Sequence, residues 1–310
     1  MIEFIPFLAC ILISFGIGSN DTSNSLGICI GAGVINLKKA IFLFGVFVFA
    51  GIFFHGQKVM ETVGKDILKV DLSILGVSLS ISALLIIISN WKKLPLSTHQ
   101  VIIGSLIGSG LASGAEINLL SLSEIAFSWI ISPLIASLFS ITIYKIMEKT
   151  LSKLPFFSIE RILRILLLIG GILIAYNTGA NELATVMGPV IHSGFLGKTM
   201  SFLLGAIFVF LGASLLSHRV IETVGKGITA LDPYSGFAAQ FGAGSCVLLF
   251  TFLGMPVSTT YCIIGGISGV GILKGVETVS IRLIKKVLVN WILGPSLALF
   301  ISFVAMWMLR

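Results

Sequence analysis

Two kinds of polar cluster interrupt the apolar segments of this sequence, and each kind occurs twice. The first kind places a carboxylate beside amides and hydroxyls, at residues 18–24 and again at 179–185. Residues three and four apart share one face of a helix, so each cluster would gather its oxygen-bearing side chains on one side. Such oxygens suit a hard cation such as sodium, and a carboxylate also suits a proton. The predicted cation ligands are Asn20, Asp21, Asn24, Asn181, Glu182 and Thr185.

The second kind of cluster begins with proline and continues with hydroxyl residues, at 95–100 and 256–261. Proline is tolerated at the first helical position because that N–H has no partner anyway. The next free N–H groups, the hydroxyls and the helix dipole together favour an anion. Ordinary capping of a helix by serine or threonine is the alternative interpretation. The predicted anion ligands are Ser97, Thr98, Gln100, Ser258, Thr259 and Thr260.

The positions of the acidic and basic residues relative to the apolar segments favour a functional role for these clusters. A carboxylate at membrane depth is costly unless it has a partner, and no lysine or arginine lies near the first clusters. The arginines all flank apolar segments or end the chain. An anion inside the membrane would therefore be held by helix N-termini, hydroxyls, amides and co-bound cations, a grip weak enough to permit release. His99 lies within a second-kind cluster, where we expect it to tune the substrate or the pH response.

A third repeated unit, Glu-Thr-Val-Gly-Lys, occurs at 61–65 and 222–226, where apolar helices are expected to end. Glu61 and Lys65 are four residues apart with the polarity that favours a salt bridge, as are Glu222 and Lys226. A salt-bridged helix end is one interpretation. A place for Glu61 and Glu222 in a transport path is the other.

All three units repeat at one offset of 161 residues, the difference between positions 20 and 181. The match runs from 18 to 108 without a gap, and after one inserted residue Trp129 and Pro133 match Trp291 and Pro295. Two homologous membrane halves are typical of secondary transporters, whose substrate sites form between broken helices of the two halves. Glycine eases such a break, and we expect both carboxylate clusters to interrupt their helices. We expect the halves to be inverted.

The composition requires a membrane. The chain has 310 residues, of which 56% are hydrophobic and only 11% charged, whereas a soluble protein carries roughly 25% charged residues. We predict an all-α integral membrane protein with two homologous halves, broken or re-entrant helices and roughly 8–12 membrane elements. The apolar start lacks a basic n-region, so it is expected to be the first membrane helix. The four cysteines are expected to serve packing.

We divide the chain into a first transmembrane repeat (1–144), a basic connector (145–164) and a second transmembrane repeat (165–310). The connector contains five basic residues, which predicts a cytoplasmic position and places both termini outside if the halves are inverted. The net charge of +7 is spread over helix ends, so no nucleic-acid partner is expected.

With these motifs in view, the chain resembles the inorganic phosphate transporter (PiT) family. That family carries two Gly-Ala-Asn-Asp-type and two Pro-x-Ser-Thr-type motifs, and the ordered set matches along nearly the whole chain. The resemblance implies an inverted-repeat symporter that takes up phosphate with sodium or, in some members, protons. Some relatives carry sulfate instead. The chain departs from the family pattern at Glu182, Thr185, His99 and Gln100, which leaves ion stoichiometry and the choice of anion open.

We therefore expect a phosphate symporter that is not an enzyme and needs no cofactor beyond its coupling ion. Asp21, Glu182 and Gln100 could accept the hydrogen of a phosphate hydroxyl, which sulfate lacks, and this favours phosphate. A sulfate permease of the same architecture is the nearest alternative, followed by a membrane enzyme and a passive anion channel. The bilayer is a partner, and a homodimer remains open beside a monomer.

Overall fold

The computed structural model of the protein describes residues 4–92, 96–151, 155–228, 232–275 and 281–310. Every regular element in these ranges is helical. The helices are α1 (Phe4–Gly31), α2 (Leu37–His55), α3 (Gln57–Glu61), α4 (Leu72–Lys92), α5 (Thr98–Ser113), α6 (Leu119–Leu151), α7 (Phe156–Asn177), α8 (Ala184–His192), α9 (Lys198–Ile228), α10 (Pro233–Phe252), α11 (Thr259–Lys274) and α12 (Ile281–Met308). Two π-helical turns, Thr62–Asp66 and Thr178–Leu183, follow α3 and α7.

Seven of the described helices are long and apolar enough to cross a membrane: α1, α2, α4, α6, α9, α10 and α12. Large apolar side chains such as Phe42, Phe127 and Phe300 are more than half exposed, so the outer surface suits lipid rather than water. By contrast α5 and α11 have 16 residues each, shorter than the roughly 20 that a full span needs. The prediction of an all-helical multi-pass membrane protein is confirmed.

The two halves contact each other through equivalent pairs of residues. A Cβ atom on Gly18 would overlap the carbonyl oxygen of Val209, and one on Gly179 would overlap that of Val48. Both partners in the second contact are the repeat equivalents of those in the first, at the offset of 161. Only glycine allows two helix backbones to approach so closely. The repeat in sequence is therefore a pseudo-two-fold repeat in space.

The two short helices, α5 and α11, each pack on a helix of the opposite half. In the first half, α5 packs on α12 of the second, where Gly104 faces the backbone of Pro295. In the second half, α11 packs on α6 of the first, where Gly265 faces Pro133. Each short helix is thus held by the last helix of the opposite half.

The first helices of the two halves run in opposite directions past each other. Near one end of their contact, Gly171 of α7 packs against Leu26 of α1. Near the other end, the Cys10 sulfur of α1 lies 3.8 Å from the Met187 sulfur of α8. Along this contact, residue numbers fall in α1 while they rise from α7 to α8, so the two segments are antiparallel. The helix α1 is long enough to cross the membrane. The halves are therefore inverted, as the sequence predicted.

The local prediction for the first carboxylate cluster was wrong. This cluster does not break its helix, because α1 is α-helical without interruption and the Thr22 hydroxyl donates to the Gly18 carbonyl within it. The second cluster does interrupt its α-helix, with a π-helical turn between α7 and α8. Non-helical chain also separates α10 from α11, at residues 253–258, where the second proline cluster begins.

The predicted salt bridge between Glu61 and Lys65 does not form either; the Glu61 carboxylate accepts from the Gln57 amide at 3.0 Å. Residues 62–66 are a π-helical turn, so the regular α-helix that this prediction assumed ends at Glu61. In the predicted connector, α6 extends to Leu151 and α7 begins at Phe156, so most of it is helical.

Candidate functional site

The centre of the molecule holds two buried carboxyl groups, one from each half. Asp21 lies midway along α1 and Glu182 lies in the π-helical turn after α7. They occupy equivalent repeat positions, are 6% and 7% exposed, and lie next to each other. Two carboxylates in contact repel each other, so this pair requires one shared proton or one bound cation. The structure thus brings together Asp21 and Glu182, which the sequence analysis named as candidate cation ligands.

Polar contacts join this carboxyl pair to both short helices. On one side the Asn24 amide donates to Asp21 Oδ1 at 2.9 Å and lies 3.4 Å from the Thr260 hydroxyl in the first turn of α11. On the other side the Thr98 side chain, in the first turn of α5, lies next to the Glu182 carboxyl group. The two helix starts and the two carboxyl groups thus form one polar site at the interface of the halves.

Asn181 makes the second connection between the helix starts. Its amide nitrogen donates to the Thr251 hydroxyl at 2.8 Å and to the Met255 carbonyl at 3.0 Å. Its carbonyl oxygen accepts from the Val257 N–H at 3.1 Å and lies 2.8 Å from His99 Nε2. The side chain is fully buried and holds the segment before α11 against the start of α5.

The two helix starts have the backbone of N-caps. Ser97 and Ser258 are extended, at φ −86° and −77°, directly before α5 and α11. The Ser258 hydroxyl accepts from the Tyr261 N–H, so the capping interpretation is correct for that residue. The Trp129 indole donates to the Pro256 carbonyl at 2.8 Å and fixes the chain before this start.

The same helix starts contain buried polar atoms that have no hydrogen-bond partner in the described part of the chain. Each of these residues is 5% exposed or less. The atoms are Ser97 Oγ, His99 Nδ1, Gln100 Oε1 and Thr259 Oγ1. Buried polar atoms are rarely left unpaired, so each calls for a ligand or water. The two hydroxyls, together with the free N–H groups of two helix N-termini, suit a small anion, whereas the Gln100 oxygen can only accept.

Other predicted site residues lie apart from this centre. Asn20 is exposed, and the Thr185 hydroxyl donates to the Asn181 carbonyl of its own helical turn at 2.9 Å. Glu61 is half-buried beside Gln57, and no described contact joins it to the carboxyl pair. Pro95 and the side chain of Glu222 lie outside the described residues.

Sequence reasoning did not foresee the supporting residues of the second half. Gln240 of α10 is 2% exposed and its amide donates to the Ser25 carbonyl, while Asn177 donates to the Gly244 carbonyl at 2.7 Å. Their repeat equivalents are Leu79 and Gly16, so comparison of the halves hid them. A polar side chain at only one of two equivalent positions in an apolar segment would have been the signal.

An inverted pair of helical membrane halves, with two helix starts and a carboxyl pair at their interface, defines a secondary transporter. Residues 17–302 match the model of the phosphate transporter family. The chain belongs to that family.

Relatives and a solved structure agree with this assignment. A protein of Methanocaldococcus jannaschii named "Putative phosphate permease" is 37% identical over 290 residues, which cover 94% of this chain and 92% of that protein. The sulfate permease CysP of Bacillus subtilis is 30% identical, over 97% of this chain and 86% of that protein. A solved structure of a sodium-dependent phosphate transporter superposes with a TM-score of 0.86 at 24% identity, covering 99% and 98% of the two chains, and so shares the fold.

Proposed function

We propose that this protein imports inorganic phosphate by symport with a cation, sodium or a proton. The observation that carries the proposal is the set of unpartnered buried polar atoms at two helix N-termini, together with the carboxyl pair that contacts the same two helix starts. Helix N-termini and hydroxyls favour an anion, and the carboxyl pair favours a cation. One site with both preferences supports the binding of the two together.

The proximity of the two preferences gives a physical reason for coupling. Without a cation or proton, two buried carboxylates next to the anion site would repel the anion. With one positive charge on the pair, this repulsion falls. The anion and the cation therefore each bind more favourably when the other is present, which is the thermodynamic requirement for symport.

Sulfate is the second candidate substrate, and the 30% identical sulfate permease is the observation that favours it. Both anions are tetrahedral and would fit between two helix starts. They differ in one respect, because phosphate near neutral pH carries a hydroxyl hydrogen and sulfate does not.

Uptake of labelled phosphate into proteoliposomes tests the proposal. We expect accumulation that depends on an inward gradient of sodium or of protons, and each gradient is applied alone to identify the cation. Unlabelled sulfate in large excess serves as the competitor. Uptake indifferent to both gradients would indicate a passive channel, and strong accumulation of sulfate without phosphate would indicate a sulfate permease.

A further inference from the structure

The orientation of the Asn181 side-chain amide is fixed by two backbone groups. The Val257 N–H can only donate, so the atom that it meets at 3.1 Å must be the amide oxygen. The Met255 carbonyl can only accept, so the atom 3.0 Å from it must be the amide nitrogen. Reversing the amide would place donor against donor and acceptor against acceptor.

This orientation determines which nitrogen of His99 carries hydrogen. His99 Nε2 lies 2.8 Å from the amide oxygen of Asn181, so Nε2 must be the donor. The ring touches no carboxylate among its described hydrogen bonds, and it is only 1% exposed. A buried imidazolium without a charged partner is costly, so the ring is neutral and Nδ1 is a bare acceptor.

The bare nitrogen belongs to one of the two helix starts that we assign to the anion. His99 is in the first turn of α5, next to the Thr98 that contacts Glu182. Through Asn181 its ring is linked to Val257, the residue before the N-cap of α11. The imidazole is therefore connected to both helix starts, and its Nδ1 is buried and has no partner among the described residues.

We propose that His99 Nδ1 accepts a hydrogen bond from the hydroxyl of a protonated tetrahedral oxyanion and thereby selects phosphate over sulfate. This inference rests on the proposed anion site. Phosphate and arsenate present a hydroxyl hydrogen to a bare acceptor, whereas sulfate presents only oxygen lone pairs. A buried acceptor facing those lone pairs is left unsatisfied, which disfavours sulfate.

The repeat supports a specialised role for this residue. Its equivalent in the second half is Thr260, whose hydroxyl can donate as well as accept and already lies 3.4 Å from the Asn24 amide. A threonine at position 99 could turn its hydrogen toward any anion and would not discriminate. The imidazole, with its only hydrogen committed to Asn181, cannot do so.

Competition measurements on the purified full-length protein in proteoliposomes test the proposal. For the wild type, unlabelled arsenate is expected to inhibit labelled phosphate uptake strongly and sulfate weakly. In His99→Gln the amide nitrogen can replace Nε2 as donor to Asn181, but no acceptor remains at the Nδ1 position. The ratio of the sulfate and phosphate inhibition constants is expected to fall at least about tenfold, which corresponds to about 1.4 kcal/mol.

Two further variants separate selectivity from folding. His99→Asn places a carbonyl oxygen near the Nδ1 position and should retain most of the selectivity, although it loses the contact with Asn181. His192→Gln serves as the control, because the described hydrogen bond of the His192 ring is with the Gly188 carbonyl of its own helix. This variant should leave the ratio unchanged. The ratio is independent of the amount of folded protein.

The outcomes distinguish this proposal from the proposed function. If the wild type prefers phosphate and His99→Gln keeps the same preference, the role of His99 is overturned and the proposed function stands. A wild type that takes up sulfate and not phosphate would overturn both proposals. A fall in selectivity in His99→Gln that His99→Asn restores would support the assignment.

Discussion

Replacing Asn181 by alanine removes four hydrogen bonds at once. The Val257 N–H and His99 Nε2 would lose their acceptor, and the Met255 carbonyl and Thr251 hydroxyl would lose their donor. Thr251 still donates to the Val247 carbonyl at 2.8 Å, so its loss is the smallest. Asn20, the equivalent residue of the first half, is exposed, and water can replace whatever its side chain contacts.

The size of the effect follows from the two orphaned donors. Val257 and His99 are at most 1% exposed, so no bulk water reaches them. A buried donor without an acceptor costs about 1–3 kcal/mol, which gives about 2–6 kcal/mol for the two. For a chain of this size we expect the unfolding midpoint of Asn181→Ala to fall by at least about 4 °C. Asn20→Ala should change it by less than about 1 kcal/mol, or about 2–4 °C.

Thermal unfolding of the two variants in the same detergent, followed by tryptophan fluorescence, is the measurement. Phosphate is left out of the buffer so that ligand binding does not shift the midpoint. Equal midpoints for Asn181→Ala and Asn20→Ala would refute the reasoning, because the sequence treats the two positions alike and only the structure separates them.

The remaining predictions concern the carboxyl pair, the anion ligands and the orientation. Asp21→Asn and Glu182→Gln are each expected to abolish cation-driven phosphate uptake in proteoliposomes, and normal uptake by both would exclude the pair from coupling. Ser97→Ala should weaken phosphate affinity by about 0.5–1.5 kcal/mol with little change in thermal midpoint, because the Ser97 hydroxyl has no partner among the described residues. Ser258→Ala should also cost about 0.5–2 kcal/mol of stability, because its hydroxyl caps α11; equal midpoints for the two serine variants would contradict this. A thiol reagent should label Lys149→Cys from the cytoplasmic side in a cysteine-free background, and labelling from outside would reverse the orientation.

The repeat made much of the fold predictable. Glycines that recur at a fixed offset, such as Gly18 and Gly179, mark places where backbones touch, and the structure puts both in reciprocal contacts between the halves. The pairing of Asp21 with Glu182 follows from the same logic, because equivalent residues near a two-fold axis must meet. A sequence repeat therefore predicts tertiary contacts when the residues that recur are glycines at positions too crowded for a side chain.

The internal arrangement of the site could not be predicted, because it depends on where the two halves differ. Asn20 and Asn181 are asparagines at equivalent positions of the repeat. Asn20 is exposed, whereas Asn181 is fully buried with four partners. The π-helical turn at Thr178–Leu183 has no equivalent in α1, although the two segments align without a gap. A one-residue change in helical winding depends on packing against neighbours, which periodicity does not report.

This asymmetry has a functional interpretation. In an inverted-repeat transporter, the site opens to the two sides of the membrane in turn as one half takes up the arrangement that the other has left. Here the second-half cluster is closed around Asn181, which contacts His99 of the first half. The equivalent pair is more open, because Asn20 of the first half is exposed and Thr260 of the second half is only half-buried. After such an exchange Asn20 would occupy the position of Asn181, with Leu96 and Thr260 as the equivalents of Val257 and His99. We therefore expect Asn20→Ala to slow phosphate uptake severalfold while its thermal midpoint stays near that of the wild type, since the asparagine would be needed in the opposite state and not in this one. If Asn20→Ala changed neither the uptake rate nor the thermal midpoint, the two halves would not exchange roles at this position.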